Sequence, residues 1–211
     1  MGRALKLFLS SIGIPKKAES VFLGLIEGKG KPSLGFITNA ADNYPADEKE
    51  YISSSLKRFS SLGIEAEEID LKSFVSIAEM QEQLSKFDII WLSGGNTPYL
   101  RYIARETGFD NIVKDLIQSG IIYGGESSGA IIATPTIKYV DFVDDPSEAP
   151  VFIESGFCLV DFALVPHWAD FADSHPLRKM KIGLEDDGRE VITLTDQQAI
   201  VIKGSERTVI K

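Results

Sequence analysis

The chain has 211 residues, 44% of them hydrophobic and 25% charged, which is ordinary globular usage and allows one domain with a sizeable core. A formal charge of −9 opposes a phosphate-backbone partner, normally met by a basic face, so nucleic acid is excluded as an expected partner. No apolar run approaches the roughly 18 residues of a membrane span, and the single Cys158 can form no internal disulfide and has no Cys or His at metal-ligand spacing.

No membrane contact, no metal and a reducing cytoplasm are therefore expected. The short apolar run near the N-terminus lacks a long h-region and a cleavage site, and reads as a first strand over 5–9 instead of a signal peptide. Apolar residues at helical spacing over 18–27 stop at Gly28 and Gly30, and 34–38 is a second buried strand ending in the polar loop 39–42. Positions Tyr51, Ile52, Leu56, Phe59 and Leu62 mark one face of a long helix over 46–62, closed by Gly63. An outer strand over 64–71, a short helix over 77–84 and a central strand over 88–92 follow. The last ends in Gly94-Gly95-Asn96-Thr97-Pro98, with Pro98 suited to a first helical turn. Helical pieces over 99–105 and 112–119 come next.

The stretch 121–135 organises the rest. An apolar strand (Ile121, Ile122, Tyr123) runs into Gly125-Glu126-Ser127-Ser128-Gly129 and then into a second apolar segment, the spelling of strand, sharp turn and helix. Glycines two before and two after Ser127 remove Cβ atoms that would obstruct a turn holding the serine at a strained angle, and the helix start offers free N–H groups to an anion. Beyond an acidic loop at 141–148, strands are expected over 157–160 and 162–165, the latter leading to Pro166-His167. A helix over 176–184 and closing strands over 191–194, 199–203 and 208–210 complete the chain. No repeat or linker divides it, so residues 1–211 are expected to form a single three-layer α/β domain, a mostly parallel sheet with helices on both faces.

In such a sheet the site lies outside the C-terminal ends of the strands, where both glycine turns fall. The backbone N–H groups of Gly95 and Ser128 can then serve as an oxyanion hole for a Ser127 nucleophile. A serine needs a positioned base, and of the two histidines His167 follows a strand-like run, whereas His175 precedes Pro176 and reads as an exposed cap.

Taken together and in this order, Gly94-Gly95-Asn96-Thr97, Gly125-Glu126-Ser127-Ser128-Gly129-Ala130 with Pro135-Thr136-Ile137 behind it, and Pro166-His167 resemble the peptidase E family of serine peptidases, the aspartyl dipeptidases. The resemblance covers most of the chain. It implies a class I glutamine amidotransferase-like, flavodoxin-like fold, release of N-terminal aspartate from a small peptide substrate, and no cofactor. The family's elbow is usually Ser-Ala-Gly-Ala after an aromatic or small residue, whereas here Glu126 precedes Ser-Ser-Gly-Ala; that carboxylate could repel an acidic substrate or bind its amino terminus. Glu126 and Asn96 are expected to contact substrate. For the third triad member the family pattern points near Asp141, one residue out of register, while the related cyanophycinase branch points to Asp196 at a strand end, which is preferred here. The family's arginine for the aspartyl side chain is matched to Arg178. A cyanophycinase-like or other serine exopeptidase, or a non-catalytic protein on the same scaffold, are the alternatives. A glutamine amidotransferase would need a cysteine at the elbow, and Cys158 lies outside it. The oligomeric state stays open, a homodimer included.

Overall fold

Apolar runs and amphipathic segments alternate along the chain and become strand–helix units. The computed structural model describes residues 4–211, so residues 1–3 of the expected domain lie outside the described part. Strands β1 (Lys6–Ser10), β2 (Ser33–Ile37), β3 (Glu65–Ile69), β4 (Ile89–Leu92) and β5 (Ile122–Glu126) lie parallel in the order β3-β2-β4-β5-β1. Next in the chain, β6 (Ala163–Val165) and β7 (Val191–Thr193) pair with each other in a separate two-stranded parallel sheet. The hairpin β8 (Ala199–Lys203) and β9 (Glu206–Ile210) then extends the main sheet antiparallel beyond β1, completing seven strands.

Alternation along the central strands sends successive side chains to opposite faces. Phe8, Phe36 and Trp91 pack on one face against Phe22 of α1 (Glu19–Leu23) and Phe59 of α2 (Glu50–Ser61). These aromatic rings meet mostly edge to face, with Phe8–Phe22 centroids 5.0 Å apart and Phe59–Trp91 5.1 Å apart. Gly124 pairs with Trp91 across β4 and β5, and a Cβ there would fall 2.1 Å from the indole, so the ring occupies the space a side chain would need. Leu7, Leu9, Ile90, Leu92 and Tyr123 face the other way. They are covered by α3 (Ile77–Leu84), α4 (Thr97–Glu106), α5 (Phe109–Gln118), the single turn α6 (Ser128–Ile131) and α7 (Pro176–Asp186). This is the expected three-layer α/β arrangement.

Two elements differ from the sequence reading. Residues 157–160 form no strand, because the N–H groups of Phe157, Cys158 and Leu159 donate instead to the carbonyls of Ile132, Thr134 and Ala133 just past α6. That backbone buttresses the elbow from behind. The segment at 191–194 does not close the main sheet but joins β6, a difference that matters for the site.

Candidate active site

Ser127 joins β5 to α6 with φ 49° and ψ −114°, a conformation costing a non-glycine residue about 1–3 kcal/mol. The surrounding glycines allow it. A Cβ on Gly125 would lie 2.4 Å from the Gly129 carbonyl oxygen, and one on Gly129 would lie 2.2 Å from that of Leu92, so the turn packs backbone on backbone. Ser127 N–H donates to Ser10 at 3.0 Å, and the N–H groups of Ala130 and Ile131 return to the Ser127 carbonyl at 2.9 Å, fixing the turn from both sides.

His167 and Asp196 come from the small sheet. Beyond β6 and β7 the two strands stay zipped, with Leu194 N–H on the Val165 carbonyl at 3.0 Å and Trp168 N–H on that of Leu194 at 2.8 Å. This sets His167 Nδ1 2.8 Å from Asp196 Oδ1 and His167 Nε2 3.0 Å from Ser127 Oγ. The expected serine, histidine and preferred acid thus form one hydrogen-bonded row. Asp141 lies elsewhere, exposed on the one-turn helix Val140–Phe142.

Gly94 leans on the serine: a Cβ on it would stand 3.1 Å from Ser127 Cβ and 3.6 Å from Oγ. Gly95 has φ 143° and approaches Ala40 so closely that a Cβ would meet that carbonyl oxygen at 2.3 Å. Its N–H makes no backbone hydrogen bond among the described residues, and the N–H of Ser128 belongs to the unpaired first turn of α6. The Ser128 hydroxyl donates to the Gly95 carbonyl, tying the two glycine turns together.

These groups open onto a cavity of about 610 Å³, within the range of small-ligand sites. Glu126 lines it but is only 4% exposed; its Oε2 accepts from Gly13 N–H at 2.5 Å, and its Oε1 makes no well-formed hydrogen bond among the described residues. Burial pushes its carboxyl up to about 7, against the pull of the Gly13 and Gly94 amides and the Trp91 indole N–H. Asp144 also lines the cavity; its Oδ2 accepts from Thr97 N–H at 2.9 Å, and burial raises this carboxyl as well.

Asn96 does not reach into the cavity. Its Oδ1 caps α4 by accepting from Tyr99 N–H at 2.8 Å, and its Nδ2 donates to the Asp145 carbonyl at 2.8 Å, which consumes the amide in holding the 144–145 loop. Arg178 is likewise outside the cavity wall, its Nε paired with Asp173 at 3.0 Å. His175 caps α7 through Nδ1, as expected, but it is partly buried against Phe171 and lines the cavity.

The sequence profile of peptidase family S51 matches residues 8–210. The chain belongs to peptidase family S51. It is 36% identical over 151 residues to an uncharacterized peptidase of Pasteurella multocida (strain Pm70), covering 71% of this chain and 70% of that one. It is 26% identical over 198 residues to peptidase E of Salmonella newport (strain SL254), covering 92% and 81% respectively. A crystal structure of a candidate peptidase E from Listeria monocytogenes EGD-e superposes with a TM-score of 0.83 at 28% identity, covering 98% of both chains. The protein is accordingly a peptidase, and peptide is its substrate.

Two site residues of this S51 peptidase escape sequence reasoning. Ser11 follows β1, where polar residues at a parallel strand's C-terminal edge are a usable signal. Asp144 meets Thr97 across 47 residues of chain, inside an acidic loop whose composition alone reads as solvated.

Proposed function

We propose that this S51 peptidase is a serine-type exopeptidase of short peptides, contained in a single domain and using Ser127, His167 and Asp196. Asp196 accepts a hydrogen bond from the Nδ1–H of His167, which leaves Nε2 unprotonated to take the Ser127 proton as Oγ attacks the scissile carbonyl. The N–H groups of Gly95 and Ser128 receive the developing oxyanion. His167 then protonates the leaving amine, and water, activated by the same imidazole, releases the acyl group from Ser127. The unbroken row of two hydrogen bonds, 3.0 Å and 2.8 Å, carries this reading. Its test is labelling with a fluorophosphonate. The adduct should map to Ser127 and vanish in Ser127→Ala, and a fully active Ser127→Ala protein would refute the assignment. The single cysteine suits work in a reducing cytoplasm.

Aspartate selectivity, which the family resemblance implies, has weaker support than the chemistry. Holding a side-chain carboxylate in a closed site calls for a fixed cation. Among the described residues no Lys or Arg lines the cavity, and Arg178 is engaged by Asp173. That observation favours the alternative of a serine exopeptidase with a different specificity.

A further inference from the structure

We propose that the cavity selects peptides with a free α-amino group and an uncharged, apolar N-terminal residue, and that Asp144 is the group that holds the ammonium. This rests on the serine-exopeptidase reading above.

The Asp144 carboxylate is preset for the task. Thr97 N–H fixes Oδ2 at 2.9 Å, and Asn96 pins the next residue by its carbonyl, so the loop does not have to be ordered when ligand arrives. Oδ1 makes no hydrogen bond among the described residues and is not sealed in the interior. An ammonium there would form a charge-assisted hydrogen bond where burial has already weakened the carboxylate's hydration.

Glu126 supplies the second observation. It is 4% exposed, lines the same cavity beside the nucleophile, and its Oε1 is buried with no well-formed hydrogen bond among the described residues. That atom is closed to direct contact, so Glu126 acts on ligands through its field. Once ionised, above about pH 7, its charge is offset by a nearby cation, whereas an aspartyl or glutamyl side chain would add a third carboxylate at low dielectric. The remaining wall is apolar or weakly polar, including Ile12, Tyr44, Tyr51, Val143 and Leu177. Burial raises Tyr44 to about 12, and raises Tyr51 also, so both remain neutral phenols. Such a wall suits an aliphatic or aromatic side chain.

The test is calorimetric binding to the Ser127→Ala protein, which separates recognition from turnover. Leu-Leu should bind at least about tenfold more tightly than Asp-Leu, Lys-Leu or N-acetyl-Leu-Leu. Adding Asp144→Asn should weaken Leu-Leu by about ten- to a hundredfold and bring it level with its acetylated form. If that double variant does not fold, the acetylated and free peptides compared on intact Asp144 decide the matter. Tightest binding by Asp-Leu or Lys-Leu, or indifference to acetylation, overturns the proposal. Binding of Leu-Leu with no cleavage by the wild-type protein would instead overturn the serine-peptidase reading and leave the pocket assignment standing.

Discussion

Ser11 Oγ accepts the backbone N–H of His167 at 3.0 Å and donates to the Leu194 carbonyl at 2.9 Å, so one hydroxyl at the end of β1 holds both segments that carry the proposed base and acid. Removing it leaves a donor and an acceptor without their partner. Ser11→Ala should cost about 1–3 kcal/mol of stability. It should also lower kcat about tenfold with little change in KM, because the imidazole loses its fixed distance to Ser127 rather than any contact with substrate. Chemical denaturation and steady-state kinetics on one preparation measure both; a fall in stability with unchanged kcat would confine Ser11 to a structural role.

Replacing the proposed nucleophile should be the most damaging single change. Ser127→Ala is expected to lower kcat on the order of 10⁶-fold, the scale seen when a serine hydrolase loses its nucleophile. Ser128→Ala keeps the backbone amide but frees the Gly95 carbonyl, and so releases one of the two proposed oxyanion donors. A net hydrogen bond of about 1 kcal/mol implies a loss of about five- to tenfold. Turnover numbers with a common dipeptide check the ranking.

Asp196→Asn keeps the shape and removes the charge that fixes the His167 tautomer. A drop of about 10⁴ in kcat is expected. Asp141→Asn, on an exposed turn, should leave kcat within about twofold of wild type, since surface changes away from a site are usually small. The reverse pattern would move the acid to Asp141.

Glu126 predicts an acid-side gain in stability. Its folded carboxyl titrates near 7 against an ordinary 4.5, so between these values the native state retains a proton that the unfolded chain has lost. Its contribution is complete below about 4.5 and is lost as pH rises to about 7, a change on the order of 3 kcal/mol. Glu126→Gln abolishes this titration and can still accept from Gly13 N–H. The variant should melt higher than wild type at pH 8 and at nearly the same temperature at pH 5. Equal melting temperatures at both pH values would show that Glu126 titrates as an ordinary carboxylate.

Much of this was legible because local signals and tertiary demands agree. Gly125 and Gly129 mark the elbow since backbone contacts leave no room for a Cβ, and the helix expected over 77–84 forms with those bounds, its start fixed by Ser76 Oγ accepting from Glu79 N–H. Asp196 is reached through the resemblance to the cyanophycinase branch, with its place at a strand end in support. What could not be read depends on partners far away in the chain. Residues 157–160 have a strand's composition but spend their amides on the carbonyls behind α6. Asn96 has the chemistry of a ligand-binding amide, and only the positions of Tyr99 and Asp145 reveal that it is already engaged. Arg178 shows the same limit in a charged residue, with Asp173 as the partner.

The proposed nucleophile follows a strand of the seven-stranded sheet, while the proposed base and acid follow the two strands of the smaller one. Either sheet could form its own hydrogen bonds and still leave Ser127 inert. During refolding, hydrolysis should therefore return only once the two sheets have met, and no earlier than bulk secondary structure. Enzyme activity becomes a clock for the assembly of the two sheets.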